Sequence, residues 1–444
     1  MKKVLITGAN SYIGVSFEEY VKEHYSSELT VDTVDMIDGS WREKDFSGYD
    51  IVYHVAGLAH ADVGKVDEAT KAKYYAVNTD LAIETCKKAK DEGVKQFVFM
   101  SSAIIYGDSA PYGKRRRITK NTKPHPANFY GDSKWRADKG VRKLGDENFT
   151  VTVLRPPMIY GKGSKGNYPT LAKMAKNLPI FPNVVNERSM LYIENLCEFL
   201  CQVMIRGEGG IFWPQNAEYS RTSEVVKMIA KASGHKIWVS KAFNWGVDLA
   251  SKIPGKISGL ANKAFGNQSY DQSMSKYDFE YQKYDLKNSI ERTEKMAKKI
   301  CLVSASGGHF EQLCRLKPLL EKYDGFVVTE KTDFKSKADY YVTQTGLGEK
   351  GLVKDLIKLF GEVRKICKKE KPDYVISTGT LVSLPFMIYC KLHRKKFIYI
   401  ETFARVTDTT KAGKFMYKFA DLFIYQWKEL KKFYPKGVYG GSIY

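Results

Sequence analysis

A chain of 444 residues, 43% hydrophobic and 27% charged, is long enough to bury two or three separate cores. Its net charge of +21 is uneven, residues 301–444 holding 26 Lys/Arg against 15 Asp/Glu, yet no zinc finger or aromatic RNA-binding signature accompanies it. That argues against nucleic acid and leaves phosphate-bearing substrates or an anionic lipid surface. The seven cysteines are scattered, and Cys197 and Cys201 share a helix face without further ligands nearby, which points to reduced thiols and to no metal centre. With no charged-then-apolar leader and no 18-residue apolar window, the chain is expected to be cytoplasmic.

In chain order, Val4–Ile6, Thr30–Val34, Ile51–His54, Gln96–Met100 and Thr150–Leu154 read as buried parallel strands. Helix-length stretches such as Lys71–Glu92 lie between them, which predicts an α/β fold with a doubly wound parallel sheet. The first strand turns through Gly8-Ala9-Asn10-Ser11-Tyr12-Ile13-Gly14 into a helix whose amides and positive end suit a pyrophosphate, although glycine at such a turn is often only geometry. Ser11 stands where the dinucleotide fingerprint has its middle glycine, adding a side chain where backbone must approach phosphate. Asp35, ending the second strand, is placed to accept from ribose hydroxyls, favouring NAD over its 2′-phosphorylated form, or is an acid in a turn beside Asp32 and Asp38. His54-Val55-Ala56-Gly57, Asn78 and Ser101-Ser102 follow.

Tyr130 and Lys134, four apart, share a helix face. The ammonium is expected to bring the phenol into the range of a general base while Ser102 holds the substrate oxygen; in isolation the same spacing describes a surface helix pair. After Arg155, prolines and glycines break the pattern, as in a smaller substrate-covering lobe, mainly 156–290. Residues 246–299 are polar, helix-biased and end in the charged run Glu291–Lys299, which reads as a linker.

At Lys299 the pattern restarts. Strands are predicted at Ile300–Val303, Phe326–Thr329, Tyr374–Ser377, Lys396–Ile400 and Leu422–Tyr425, giving a second α/β unit over 299–444. Ser304-Ala305-Ser306-Gly307-Gly308-His309 joins strand to helix and fits a phosphate loop or an inert tight turn. Lys354, Lys358, Lys365, Lys368 and Lys369 interleave with Leu352, Leu356, Phe360 and Val363 on one amphipathic helix, a solvated face or a contact with anionic lipid.

Through these motifs, together with Arg155–Gly161, Lys165-Gly166-Asn167 and Arg188–Ile193, residues 1–295 resemble the extended short-chain dehydrogenase/reductase family of NAD-dependent sugar-nucleotide epimerases and dehydratases, UDP-glucose 4-epimerases in particular. The resemblance implies catalysis by Ser102, Tyr130 and Lys134, and NAD held by Gly8, Asn10, Ser11, Tyr12, Ile13, Gly14, Asp35, Ala56, Gly57, Asn78, Tyr130 and Lys134. It places a UDP-sugar against Asn167 and Arg188, the latter clamping the diphosphate unless it makes an ordinary salt bridge. Met158 departs from the family's usual asparagine, and Ala103-Ile104 replace the acid pair of dehydratases, which leaves epimerisation, with one-way reduction of a keto sugar as the alternative.

Residues 299–444, through Asp373–Gly379, Tyr399–Val406 and Asp421–Trp427, resemble the acceptor-side subunit of two-part glycosyltransferases, including the N-glycan GlcNAc-transferase anchor subunit and its bacterial capsule counterparts. This implies one Rossmann-like half of a GT-B enzyme, with Ser306, Gly307, Gly308, His309, Glu401 and Arg405 at its cleft, and as partners a donor-binding chain and a lipid-linked sugar acceptor; the alternative is a non-catalytic scaffold. The expected setting is bacterial surface-polysaccharide assembly at the inner face of the membrane, with a homodimer left open.

Overall fold

In the computed structural model, which describes residues 1–58, 66–253, 255–294, 298–333, 337–345 and 352–444, the apolar runs of the first unit, Met1–Lys295, form one parallel sheet. Its strands are β1 (Lys2–Thr7), β2 (Leu29–Val34), β3 (Ile51–His54), β4 (Gln96–Met100), β5 (Thr150–Leu154) and β6 (Gly210–Phe212), in the order β6-β5-β4-β3-β1-β2. Every residue of β3 and β4 is buried, because helices cover both faces, and this is why these strands read as continuous apolar runs. Strand order reverses beside β1, so the loops leaving β1 and β3 part and open a crevice at their carboxyl ends.

Helix α1 (Tyr12–His24) follows β1. The stretch expected as one helix over 71–92 divides into α2 (Glu68–Tyr75), a wide π-type turn at Ala76–Asp80 and α3 (Leu81–Asp91). After α4 (Phe129–Arg142) come α5 (Asn167–Asn177), α6 (Ile193–Arg206), which packs beside α1 on the sheet, and α7 (Thr222–Ala232), α8 (Asn244–Lys252), α9 (Lys256–Phe265) and α10 (Leu286–Glu294). The linker expected at 246–299 is therefore largely folded. Tyr270, Tyr281, Leu286 and Ile290 are buried, and their apolar bodies outweigh the polar composition around them.

The second unit, Met296–Tyr444, carries a seven-stranded parallel sheet of β7 (Ile300–Ser304), β8 (Gly325–Glu330), β9 (Tyr340–Val342), β10 (Tyr374–Ser377), β11 (Lys396–Ile400), β12 (Leu422–Tyr425) and β13 (Val438–Tyr439). The order β9-β8-β7-β10-β11-β12-β13 again reverses, between β7 and β10. Its helices are α11 (Gly308–Cys314), α12 (Leu319–Lys322), α13 (Leu352–Glu370), α14 (Ser383–Leu392) and α15 (Lys411–Tyr417). On α13, Leu359, Val363, Ile366 and Cys367 are buried while Val353 and Ile357 are exposed. Among the described residues no helix is long and apolar enough to cross a membrane.

Candidate functional site

The crevice of the first unit is bounded by the loops after β1 and β3. Gly8 adopts φ +101°, and a Cβ there would lie 2.9 Å from the Ala56 nitrogen, so only glycine lets the loops pass this closely. Gly8 and Ala9 N–H donate to the Val34 carbonyl, and Ser11 N–H to Gly8. Ser11 caps α1, its Oγ accepting from Gly14 N–H at 3.2 Å. The serine that replaces the middle glycine thus points back into the helix start rather than crowding the loop, at the expense of one amide that a fingerprint glycine would leave free. The Asn10, Tyr12 and Ile13 amides remain at the positive helix end for a pyrophosphate. Tyr12 sends its hydroxyl against Gly161, whose Cβ would meet it at 2.7 Å. Asp35 is exposed just beyond β2, with Oδ1 accepting from Ile37 N–H at 2.9 Å.

The π-type turn supplies the next wall. Asn78, buried there, accepts from Leu58 N–H at 2.7 Å and donates to the Leu58 carbonyl at 3.1 Å, hooking the loop that carries Ala56 and Gly57. A Cβ on Gly57 would lie 3.0 Å from both Asn78 Oδ1 and Lys134 Nζ. This cradle of closely approached glycines and forward-facing amides fits a dinucleotide, with Asp35 at its ribose end.

Asn128 caps α4 by accepting from Gly131 N–H at 3.0 Å, which sets Tyr130 and Lys134 in the first two turns. Lys134 is buried, its ammonium donating to the Met100 carbonyl at 3.3 Å at the carboxyl end of β4, two residues before Ser102. Ser102 Oγ accepts from Ile104 N–H at 3.3 Å and starts the short turn over Ala103–Tyr106, on which the start of α4 rests: a Cβ on Gly131 would lie 3.0 Å from the Ile104 carbonyl oxygen.

A buried carboxylate two turns along α4 fixes this arrangement. Asp138 accepts from Ser101 Oγ at 2.9 Å, from Arg155 Nε at 2.9 Å and Nη2 at 2.8 Å, and from Arg142 at 2.9 Å. Tyr130, Lys134 and Asp138 follow one another at four-residue spacing, a signal that was present in the sequence but whose third member was not singled out. The electrostatics of the site differ from expectation. Burial pushes the Tyr130 phenol up to about 12 and Lys134 down to about 8, desolvation being the leading cause in both. Burial also holds His54, on β3, neutral at about 3, with Nδ1 2.7 Å from Thr7 Oγ1.

On the lobe side, a cavity of about 40 Å³ is lined by Ala103, Met158, Arg188 and Gln268, which brings Arg188 to the residue next to Ser102. Arg188 donates to the Lys263 carbonyl at 2.6 Å and to Ser109 Oγ at 3.3 Å, so among the described residues it is held without a carboxylate partner rather than in an ordinary salt bridge. Met158 takes an apolar place in the same wall. Asn167 opens α5. Larger hollows of about 670 Å³ beside Arg115 and Arg221 and about 720 Å³ beside Arg142 and Trp213 involve none of Ser102, Tyr130 and Lys134.

In the second unit the loops after β7 and β10 interlock where strand order reverses. His309 Nδ1 lies 2.8 Å from the Thr378 carbonyl, Thr378 Oγ1 donates to the His309 carbonyl at 2.9 Å, and Ala305 N–H donates to the Gly379 carbonyl at 2.9 Å. Ser306, Gly307 and Gly308 border this junction, the two glycines exposed. Glu330, ending β8, accepts from Thr345 Oγ1 at 3.2 Å, and burial raises its carboxyl. Thr378, Gly379 and Glu330 lie with the predicted loop, and strand-end position at the reversal is the signal that could have found them.

Glu401 and Arg405 depart from their expected places at a cleft. Glu401 is fully buried, accepts from Thr402 N–H and Thr410 Oγ1 at 3.0 Å each and from the Tyr434 hydroxyl, and so pins three segments together. Arg405 is exposed and paired with Asp408 at 2.6 Å.

Residues 4–212 match the NAD dependent epimerase/dehydratase family, and residues 353–443 match the family described as oligosaccharide biosynthesis protein Alg14 like. The UDP-glucose 4-epimerase of Vibrio cholerae is 28% identical over 295 residues, covering 62% of this chain and 89% of that protein. The UDP-N-acetylglucosamine transferase subunit ALG14 of Homo sapiens is 34% identical over 79 residues, 16% of this chain, which spans only 37% of that relative. The structure of UDP-N-acetylglucosamine 4-epimerase from Bacillus cereus shares the fold, with a TM-score of 0.52 and 16% identity over 66% of this chain and 99% of that one. Both resemblances read from the motifs hold at the level of family.

Proposed function

Because the N-terminal unit is an epimerase-family domain that uses NAD and the C-terminal unit is Alg14-like, we propose that the chain interconverts a UDP-sugar at C4 and helps to deliver sugar to a lipid-linked acceptor. The observation that carries the first half is the buried Lys134 ammonium, fixed at the carboxyl end of β4 one helical turn from Tyr130 and beside the Gly57–Asn78 hook. Bound NAD would supply the hydride acceptor and donor. Tyr130 takes the proton from the sugar hydroxyl and later returns it, Ser102 holds the same oxygen, and the Lys134 charge draws the phenol down from about 12 once the site is filled. Arg188, with no carboxylate partner among the described residues, takes the diphosphate, with Asn167 beside the substrate, while the loop from Gly8 to Gly14 with Asp35 holds the cofactor. Purified protein incubated with UDP-glucose and UDP-N-acetylglucosamine should form the C4 epimers without net change in NADH absorbance. NADH consumption with a keto-sugar nucleotide, and no interconversion, would instead make it a reductase.

The second unit serves as the acceptor-side half that recruits a separate donor-binding chain, Ser306–His309 and Thr378 forming its crevice. Co-expression with a donor-side chain, followed by sugar transfer to a lipid-linked acceptor, tests this. A His309→Ala chain should still assemble but transfer poorly, whereas undiminished transfer would leave the unit a scaffold.

A further inference from the structure

The lobe of the first unit carries an apolar surface that the sugar chemistry does not use. On α8, Trp245 (69% exposed) and Leu249 (56%) stand four residues apart, exposed Ile253 follows at the end of the helix, and on α9 Ile257 and Leu260 (67%) stand three apart. The two helices pack on one another, with Val247, Ala261 and Phe265 turned inward. Trp238, 63% exposed, extends the patch through its edge-on contact with Phe243 at 5.2 Å, and pairs in register with exposed Ile180. Five large apolar side chains standing in water on one short hairpin, with Trp238 on the strand before it, exceed the scattered exposure that ordinary surfaces show.

The charges around them choose the occupant. Lys236, Lys241, Lys252 and Lys263 are exposed, and none makes an ion pair among the described residues. The one acid between Lys236 and Lys263, Asp248, lies against the Tyr112 phenol. A second copy would bring lysine against lysine. We propose that this hairpin docks the first unit on an anionic bilayer, Trp238, Trp245, Leu249 and Leu260 entering the headgroup boundary while the lysines reach the lipid phosphates. This surface is distinct from the amphipathic α13 and does not rest on the catalytic reading.

The full chain should sediment with phosphatidylcholine vesicles that contain phosphatidylglycerol and remain in solution with pure phosphatidylcholine, and brominated lipid should quench its tryptophan emission. Trp245→Glu with Leu260→Glu should weaken partition by about tenfold or more, since they remove most of the buried apolar area. Lys241→Gln and Lys252→Gln should each weaken it by about fivefold, as about 1 kcal/mol per lysine implies. Unchanged melting of the first unit shows that the variants fold. The proposal is overturned if the wild-type chain ignores anionic vesicles, if Ile357→Glu on α13 abolishes binding while Trp245→Glu does not, or if Trp245→Glu with Leu260→Glu only splits a dimer.

Discussion

Both units place strand-to-helix loops where a parallel sheet reverses its order, yet they furnish the place differently. In the first, an ammonium is buried against the Met100 carbonyl and over the Phe99 ring, a phenol is desolvated one turn away, and an imidazole is kept neutral, so the crevice holds polar groups for which no counter-charge stands among the described residues. In the second, His309 and Thr378 satisfy one another across the junction and Glu401 is enclosed by three donors. Unbalanced polar groups at a switch point are suited to moving protons, balanced ones to shaping a surface for a ligand or partner. On the function proposed above, one architecture serves chemistry in one half and recognition in the other.

The largest effect that would sharpen this contrast is at Lys134. Lys134→Met should lower UDP-sugar turnover by about 1000-fold, the middle of the range for a proton-transfer group, while the cofactor-free protein melts higher because a buried charge with no carboxylate partner among the described residues is gone. A variant that lost activity and stability together would make Lys134 a structural residue. Asp138→Ala should lower the stability of the first unit by about 3–5 kcal/mol, since it strands Arg155 without its carboxylate, and should leave the transition of the second unit in place. Glu401→Gln should do the reverse, lowering only the second unit, by about 1–3 kcal/mol, with epimerisation unchanged; calorimetry with separate assignment of the two transitions checks both.

A further effect is in pH. The folded His54 titrates near 3 and the unfolded one near 6.5, so between these values the unfolded chain holds the extra proton and stability falls on acidification through that window. Lys134, near 8 when folded and 10.5 when unfolded, makes stability rise from pH 8 to 10.5 for the same reason. Replacing His54 by Phe should flatten the acid limb, and a limb that stays steep would place its cause elsewhere.

Strands such as β3, β4 and β10 were legible because burial on both faces leaves mainly apolar residues to read, with His54, Gln96 and Ser377 only at their ends. Tyr130 and Lys134 were legible because helical spacing alone puts them on one face. The break at Ala76–Asp80 was not, since a π-type turn inserts into a pattern that remains helical on either side, yet it is what aims Asn78 at Leu58. Nor was the folding of residues 246–294, where tyrosines bury their rings under a polar composition. Glu401 looked like a cleft acid because burial is invisible in sequence. Only the fold shows Gly413 leaving room for its carboxylate, which a Cβ there would meet at 1.8 Å.

The most direct test concerns Tyr130. With NAD content verified in both proteins, conversion of UDP-glucose and of UDP-N-acetylglucosamine is compared between wild type and Tyr130→Phe. A fall of about 1000-fold with the cofactor still bound is the predicted result. Conversion at the wild-type rate would contradict the assignment of Tyr130 as the group that moves the proton.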